Sequence, residues 1–486
     1  MLLANTPVKI ALMDIKYGNN VYKLEELTKK ELIDIVKDLY TEVLKLRDQK
    51  SLNSKNSSKS PSTDVNKPAP KSLRGKSNNK PGGQKGHEGS TLQQFENPDE
   101  VEEHKIVVCE HCEGSLDGVD ITDQIIRQEI DIVPAKIIIR EHRGDVKICP
   151  CCAHKNKAVF PDGINNPIQY GNVIKSKIVY FNENHLIPYA RLQQIMEDEY
   201  GLHISTGSMV NFKKEGYAKS AVTASIIKNK IINSSVAHFD ETGVKINGKL
   251  HWMHTASTDT LTYFEVSAKR GLKGMNSANI LPKFSGVAVH DHWKSYFSYE
   301  GFSNALCNAH HLRELTFAEE RYSQKWAIEM KGLLININEK VKSHKERGMT
   351  RFNKQTIWQY EARYDKILRC GKKELPNILV TKGPSPTKGK QKKHKVENLH
   401  ERLINFKHET LTFMHNFSVP FTNNLAERDH RMEKVKQKIS GGHRSKMVAK
   451  VSARLRSYLS TSRKNGVRAM DALSDLFAGR PFIPST

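Results

Sequence analysis

Hydrophobic and polar positions in the middle of the chain follow the pattern of β-strands. The apolar segments SSVAHFD, VKI, KLHWMHTAS and TLTYFEVS lie within residues 234–267, and FSGVAVHD and NALC follow within residues 284–307. Asn247-Gly248 separates VKI from KLHWMHTAS and is a strong type I′ turn signal, so it predicts a hairpin there. A third strand follows a turn at Thr258-Asp259. We therefore predict a meander of three strands and then two further strands between helices.

Apolar residues spaced three and four apart predict an amphipathic helix near the N-terminus, over residues 23–49. Thr28 and Glu31 fit a capping box, and Leu27 with Leu32 fits a hydrophobic staple. The apolar stripe has the spacing of a coiled-coil seam. Its members are Leu32, Val36, Leu39, Val43 and Leu46. A short coiled coil for self-association and a helix that packs on its own domain are both compatible with this stripe.

Helical patterns also fill residues 165–230. The string PYARLQQIMEDEY-GLHI-STGSMVNFKKEGYAK has the outline of a helix-turn-helix, in which Gly201 ends the first helix and Ser205 or Thr206 caps the second. Contact with DNA by this unit is one interpretation, although helix pairs joined by a glycine are common. Residues 231–445 are predicted to form one domain with a helical insertion over about 313–408, and residues 446–486 a helical tail.

Composition and charge indicate what the protein binds and where it is located. The 486-residue chain has 77 Lys and Arg against 53 Asp and Glu, a net charge of +24, which favours nucleic acid. Residues 50–95 are rich in Ser, Asn, Lys, Pro and Gly and predict a flexible basic linker. The segment TKGPSPTKGKQKKHKV predicts a basic loop. With no long apolar span and no signal-peptide pattern, we expect a cytoplasmic protein away from membranes.

Four of the seven cysteines form two Cys-x-x-Cys pairs, Cys109/Cys112 and Cys149/Cys152. Two such pairs predict a tetrahedral structural Zn²⁺ site, in a small zinc-ribbon-like β unit over residues 96–162. The segment between the pairs alternates apolar and polar residues, as strands do. Cys151 could replace Cys152 as a ligand, and small core cysteines are the alternative interpretation.

Three carboxylates stand at predicted element ends. Asp240 and Asp291 end apolar strands, and Glu427 lies in the first turn of a helix. Converging acids of this kind can hold two divalent ions for phosphoryl transfer. Each also has a structural interpretation, because Glu427 fits a capping box headed by Asn424 and the aspartates fit turns. Other available acids are Glu241, Asp259, Glu314 and Asp429.

Basic residues around Glu427 recur at helical spacing and predict a cationic stripe for phosphate. They are Arg428, Arg431, Lys434 and Lys438. A solvated helix face is the alternative, since Asp429 and Glu433 are interleaved with them. His310, His311 and Arg313 follow the fifth predicted strand and could orient phosphate, or simply begin a helix.

Several blocks in order resemble bacterial transposases of insertion sequence family 66. They are HFDETGVKINGKLHWMHTAST, VHDHWKSYF, ALCNAHHLREL and NNLAERDHRMEKVKQKISGGHRS, together with KPGGQKGHEG and EHRGDVKICPCC. The resemblance runs from about residue 25 to 460, with small departures in ALCNAHHLREL and in the CPCC spacing. It implies an α/β, ribonuclease H-like catalytic domain with an Asp-Asp-Glu triad, matched here by Asp240, Asp291 and Glu427.

The same resemblance implies Mg²⁺ or Mn²⁺ at the triad and a DNA strand-transfer reaction. Water attacks the phosphodiester at an element end, and the freed 3′-hydroxyl then attacks a target phosphate. The expected partners are element-end and target DNA, a second copy of the chain and possible accessory proteins of the same element. The alternatives are a DNA-binding regulator with an inactive catalytic domain and a nuclease that cuts without joining.

Overall fold

The structure, a computed structural model, describes residues 14–17, 20–23, 28–57, 94–131, 136–375 and 393–485. Most of the predicted basic linker and of the TKGPSPTKGKQKKHKV segment lies outside these residues. The chain divides into two compact units, residues 69–158 and the remainder (1–68 with 159–486). Within the described part of the chain, no helix combines the length and apolarity that crossing a membrane requires.

The N-terminal helix forms, but its apolar seam is not its buried face. Two short strands, β1 (Asp14–Tyr17) and β2 (Asn20–Lys23), pair antiparallel, and α1 spans Lys29–Ser51 with the predicted Thr28–Glu31 capping box. Leu27, the predicted staple residue, lies outside the described residues. Val36, Leu39, Val43 and Leu46 are exposed, and the buried residues are Ile35, Thr41 and Asp48. Self-association through the seam stays a prediction.

Asp48 anchors this helix to a distant part of the chain. Its carboxylate accepts hydrogen bonds from Arg321 Nε at 3.0 Å and from the Tyr322 hydroxyl at 2.6 Å. The helix is therefore held by a polar contact that hydrophobic periodicity does not signal.

The cysteine-bearing unit contains little regular structure. Its strands β3 (Val146–Ile148) and β4 (Lys155–Lys157) form a small antiparallel ribbon. Residues 120–131 and 136–145 contain no strand, so the prediction from their alternating pattern is wrong for the described residues. Side chains such as Ile125 and Ile139 are exposed there. Alternation marks a strand only where a partner strand and a core are available.

Helices before and after the sheet form one bundle. The first group comprises α2 (Asn172–Val179), a π-helical turn (Tyr180–Asn184), α3 (Tyr189–Tyr200), α4 (Thr206–Lys219) and α5 (Ala221–Ile232). As predicted, α3 ends at Gly201, which has a φ of 62°, and the Ser205 side chain caps α4. The predicted C-terminal tail does not stand apart, because its helices share an apolar core with α2, α3 and α4.

The central sheet has five strands in the order β7-β6-β5-β8-β9. They are β5 (Val236–Ile246), β6 (Lys249–Ser257), β7 (Thr262–Ser267), β8 (Val287–His290) and β9 (Ser303–Leu306). The first three form the predicted antiparallel meander, and β8 and β9 continue the sheet in parallel with β5. Asn247 and Gly248 both have positive φ, as a type I′ turn requires. A short helix, α6 (Leu272–Met275), lies between β7 and β8.

Helices cover this sheet and fill the predicted insertion. They are α7 (Asn308–Tyr322), α8 (Lys325–Glu346), α9 (Lys354–Gly371), α10 (Lys395–Asn405) and α11 (Lys407–His415), followed by α12 (Asn424–Ser440), α13 (Lys446–Lys464) and α14 (Ala469–Phe477). The helices α7 to α11 share a large apolar core. Along the free edge of β7, side-chain oxygens of α13 accept from the strand: Ser457 from the Phe264 N–H at 2.9 Å and Thr461 from the Thr262 N–H at 3.1 Å. An edge covered in this way does not pair with another chain.

Candidate active site at the carboxyl edge of the sheet

Asp240 and Asp291 lie on neighbouring parallel strands. The strand β5 continues to Ile246, so the prediction that it ends at Asp240 is wrong. Its parallel pairing with β8 stops at His238, however, and β8 itself ends at His290, directly before Asp291. Beyond His238, β5 pairs antiparallel with β6, and its last residue, Ile246, forms a parallel bridge with His443. Both aspartates therefore stand at the place where the parallel part of the sheet ends.

Glu427 is brought to this edge by Asn423, the residue that precedes α12. The Asn423 side chain donates to the Phe239 carbonyl at 2.8 Å and accepts from Nδ1 of His238 at 2.9 Å. Its backbone N–H donates to the Cys307 sulfur at 3.1 Å. One helical turn later stands Glu427. Because α12 begins at Asn424 and Asn423 makes no side-chain cap, Glu427 is not the third residue of a capping box.

The charges of the other two carboxylates act on Asp240. Burial raises the pKa of Asp240 well above its ordinary value, and the negative charges of Glu241, Asp291 and Glu427 raise it further. Charges act on a pKa in this way only over short distances. The Asp240 Oδ1 accepts from the Glu241 N–H at 2.9 Å, and the Asp291 Oδ1 accepts from the Trp293 N–H at 3.0 Å. Such a set of repelling acids favours binding of cations.

The other acids weighed from the sequence have structural partners. Asp429 accepts from Ser257, Thr262 and Lys464 at 2.7, 2.9 and 2.9 Å. Glu314 holds both terminal nitrogens of Arg402. Glu241 accepts from Arg270 and from the Tyr296 hydroxyl. Asp259 is exposed in the turn before β7. These contacts give Asp429, Glu314 and Glu241 structural roles.

The helix α12 places two basic residues beside Asp240. His430 Nε2 lies 3.8 Å from the Asp240 carboxylate, and burial lowers the pKa of His430 to about 4. Desolvation of the Lys434 ammonium lowers its pKa, and the negative charges of Glu433 and Asp240 raise the pKa in part. Glu427, His430 and Lys434 recur at intervals of three and four, so they share one helix face. The sequence analysis did not identify His430, although its spacing of three residues from Glu427 and four from Lys434 could have indicated it.

The predicted cationic stripe is exposed along α12. Its members are Arg428, Arg431, Lys434 and Lys438. Exposure is what phosphate contact requires, but it is equally the state of a solvated face. DNA contact by these four residues therefore stays a prediction.

Of the residues predicted to orient phosphate, two face Glu427. His310 Nδ1 lies 3.9 Å and Arg313 Nη2 lies 3.8 Å from the Glu427 Oε1. His311 is buried and its Nδ1 lies 3.1 Å from the Asn308 side-chain oxygen, so it does not reach the edge. A residue that the sequence analysis left aside, Cys307, lies close to His310 and Glu427.

Each cysteine pair forms its own tight turn. The Cys109 N–H donates to the Gly114 carbonyl and the Cys149 N–H to the His154 carbonyl, both at 2.9 Å. Hydrogen bonds from the following backbone N–H groups lower the pKa of Cys109 and of Cys149. Thiolates so stabilised suit a metal. Within the described residues the two pairs are not brought into one cluster of ligand atoms, so the four-cysteine site stays a prediction.

Comparison with known families agrees with the extent of the sheet and its helices. A family model described as "Transposase IS66 family" matches residues 167–451, more than half of the chain. A second model, of a family of unknown function (DUF6444), matches residues 20–93. No curated protein matches the chain. The first range contains all three carboxylates, and the cysteine pairs lie outside both ranges.

Proposed function

Because the chain belongs to the IS66 family of transposases, we propose that it cuts the ends of a DNA element and joins them to target DNA, with Asp240, Asp291 and Glu427 as its catalytic acids. The single observation that carries the assignment of these residues is their placement: Asp240 and Asp291 follow the paired parts of the neighbouring parallel strands β5 and β8, and Asn423 ties the start of α12, one turn before Glu427, to β5. The family suggests a divalent metal at these acids.

The strand order supports a ribonuclease H-like core. Numbered within the sheet, the strands run 3-2-1-4-5, with an antiparallel meander followed by parallel strands. The sequence predicts the meander and the two later strands, and the structure adds that β8 and β9 extend the sheet on the β5 side. The helices between β9 and α12 then form an insertion, and the acids come from its two flanks.

The carboxylates fit Mg²⁺ or Mn²⁺ through their chemistry. They are oxygen ligands, Asp240 and Glu427 are 21% and 35% exposed, and one buried Glu427 oxygen has no hydrogen-bond partner. Bound there, a pair of such ions would activate the attacking oxygen and stabilise the leaving oxygen. The protein's own part is to hold the acids, to keep His430 neutral beside Asp240, and to offer Arg313 and the α12 stripe to phosphate oxygens.

A strand-transfer assay with labelled element ends and a plasmid tests the proposal. We expect Asp240→Asn, Asp291→Asn and Glu427→Gln each to lower cleavage and joining by at least about a thousandfold, because a lost metal ligand removes several kcal/mol of transition-state stabilisation. Binding of the same DNA should be retained. Asp259→Asn, which changes an exposed acid of the same domain, is the matched control and should keep full activity.

The products separate this function from its alternatives. Joined molecules that require Mg²⁺ identify a transposase, cut ends without joined molecules identify a nuclease, and binding without either identifies a regulator. Activity above a tenth of the wild-type level in any of the three variants would remove that residue from the proposed triad.

The cysteine pairs are proposed to bind structural zinc. Cys109, Cys112, Cys149 and Cys152 supply two thiols from each of two similar turns, with Cys151 as an alternative to Cys152. The fit rests on the backbone N–H groups that stabilise the first thiolate of each turn. Zinc there would hold the unit together and take no part in DNA cleavage.

A further inference from the structure

Three metal-binding side chains meet at Glu427, one of the proposed catalytic acids. Cys307 directly precedes α7, His310 lies in the first turn of α7, and Glu427 comes from α12. One ligand atom from each lies within 4.8 Å of the other two, and no other such group of three occurs among the residues that the structure describes. We propose that Cys307, His310 and Glu427 form a second metal site, specific for zinc, that shares its glutamate with the catalytic acids.

Two of the ligand atoms have no hydrogen-bond partner. His310 Nδ1 and Glu427 Oε1 are both buried without a hydrogen-bond partner, and they lie 3.9 Å apart. That distance is too long for a hydrogen bond between them. Two such atoms on one tetrahedral zinc ion, with bonds of about 2.0–2.2 Å, would be roughly 3.4 Å apart. A shift of about half an ångström therefore brings these two atoms to the spacing that one zinc ion requires.

The ligand types select the metal. A thiol, an imidazole and a carboxylate suit Zn²⁺, whereas Mg²⁺ takes oxygen ligands and avoids sulfur. Cys307 is buried, so its sulfur can serve only a ligand that reaches the interior of the site. As the zinc–sulfur bond forms, the thiol proton leaves to solvent, and the bond consumes no oxidant or reductant. Three protein ligands leave a fourth position open for water.

Arg313 is a nearby cation whose charge opposes metal binding at this site. Its guanidinium lies 3.8 Å from the Glu427 Oε1 and balances part of that charge. The Arg313 side chain is 26% exposed, so it can turn toward solvent when an ion takes its place. This displacement costs little, because a partly exposed ion pair at that distance contributes only about 0–1 kcal/mol.

Zinc at this position would withdraw Glu427 from Asp240 and Asp291. If the chain cuts DNA as proposed, this withdrawal of Glu427 means that zinc inhibits DNA cleavage. Binding of zinc itself does not depend on that function, so the two can be tested apart.

Zinc binding is measured on the full-length chain by dialysis against chelator-buffered Zn²⁺, with elemental analysis of metal per chain. We expect Cys307→Ser and His310→Gln each to lose about one zinc ion, with an affinity loss beyond the roughly 10–100-fold that a lost partner of a ligand costs. Cys370→Ser changes an exposed cysteine outside the cluster and should retain the wild-type number. Zinc at the paired cysteines is common to all these proteins and cancels in the comparison.

Cobalt identifies the ligand directly. The difference in Co²⁺ absorption between wild type and Cys307→Ser should contain one thiolate-to-metal charge-transfer band, and the Cys370→Ser difference should contain none. Circular dichroism in chelator checks that each variant is folded, and Cys307→Ala replaces Cys307→Ser if the serine variant fails. Equal zinc numbers and equal cobalt spectra in wild type and in all folded variants would overturn the site.

The inhibition is measured as the ratio of cleavage with and without zinc for each protein, at fixed Mg²⁺. Cleavage with zinc should be at least tenfold lower than cleavage without zinc for wild type and Cys370→Ser, and the difference should be smaller for Cys307→Ser. An equal fall in all three proteins would overturn the inhibitory role. If no protein cleaves DNA, the proposed function has failed, and the dialysis and cobalt results still decide the zinc site.

Discussion

The sheet edge and the cysteine unit are built by opposite means. At the sheet edge the stabilising contacts join residues far apart in sequence, as when Asn423 binds Phe239 or Asp429 binds Ser257. In the cysteine unit the contacts of the thiol turns span five residues, from Cys109 to Gly114 and from Cys149 to His154. The first region requires a folded core before its groups meet, whereas each thiol turn of the second is closed by contacts within the turn itself.

Burial separates the two regions further. None of the described residues from 94 to 158 is buried, whereas the sheet and its helices enclose several apolar clusters. A unit without a core cannot offset the entropy of ordering its chain. The cysteine unit therefore needs an external source of stability, which the proposed zinc would supply. The sheet needs no such source, because it has its own apolar core.

Removal of zinc tests this difference and has the largest expected effect. Structural zinc contributes about 10–16 kcal/mol to folding of small zinc-finger peptides. We expect a strong chelator to abolish hydrogen-exchange protection in residues 109–114 and 149–154 of the full-length chain, while β5 to β9 retain theirs. Cys149→Ser should reproduce the effect, and Cys370→Ser should not.

Retained protection in both turns after chelation would contradict the prediction. So would the absence of zinc, by elemental analysis, from a protein whose two turns are protected.

Local signals were the ones that the sequence revealed. Asn247-Gly248 predicts its turn because both residues must adopt positive φ, and Thr28 with Glu31 predicts its cap because the two side chains and backbone groups are three residues apart. The order of the five strands follows from such signals and from alternation. The IS66 family itself was recognised from ordered sequence blocks.

Long-range contacts were the ones that the sequence could not reveal. Nothing in the local pattern shows that Asn423 bonds to β5, or that the C-terminal helices share a core with α2, α3 and α4. Alternation misled over residues 125–131 and 136–145 for the same reason, since a strand needs a partner that pattern alone does not supply. The place of Cys307 beside Glu427 likewise depends on how α7 meets α12.

The buried histidine at the sheet edge should make the larger unit sensitive to acid. Burial lowers the pKa of His430 to about 4, from about 6.5 in the unfolded chain. Between these values the unfolded chain binds a proton that the folded chain does not, so the free energy of unfolding falls as pH falls from about 6.5 to 4. Above pH 6.5 this group contributes no pH dependence. The contribution of His430 is about 3 kcal/mol.

Denaturant unfolding of wild type and His430→Asn, followed from pH 7.5 to 4.5, measures this contribution. The variant should lose less stability over that interval, and its curve should approach that of wild type at low pH. His203→Asn, which removes an exposed imidazole, is the control and should parallel wild type. The described histidines of the cysteine unit are exposed, so the comparison predicts no matching effect from them. Parallel curves of stability against pH for wild type and His430→Asn would contradict the predicted contribution of His430.

Asn423 gives the smallest but most specific test, because it is the residue that ties the start of α12 to the sheet. In Asn423→Ala the Phe239 carbonyl and His238 lose their partner in a buried position, which costs about 1–3 kcal/mol of stability. Cleavage should fall more than stability predicts, because Glu427 is no longer held at the distance that Asp240 and Asp291 require. Asn424→Ala, at the exposed neighbouring position, should change neither quantity by much. Unchanged cleavage in a destabilised Asn423→Ala protein would show that the helix start is positioned by its other contacts, and that the long-range bond is structural alone.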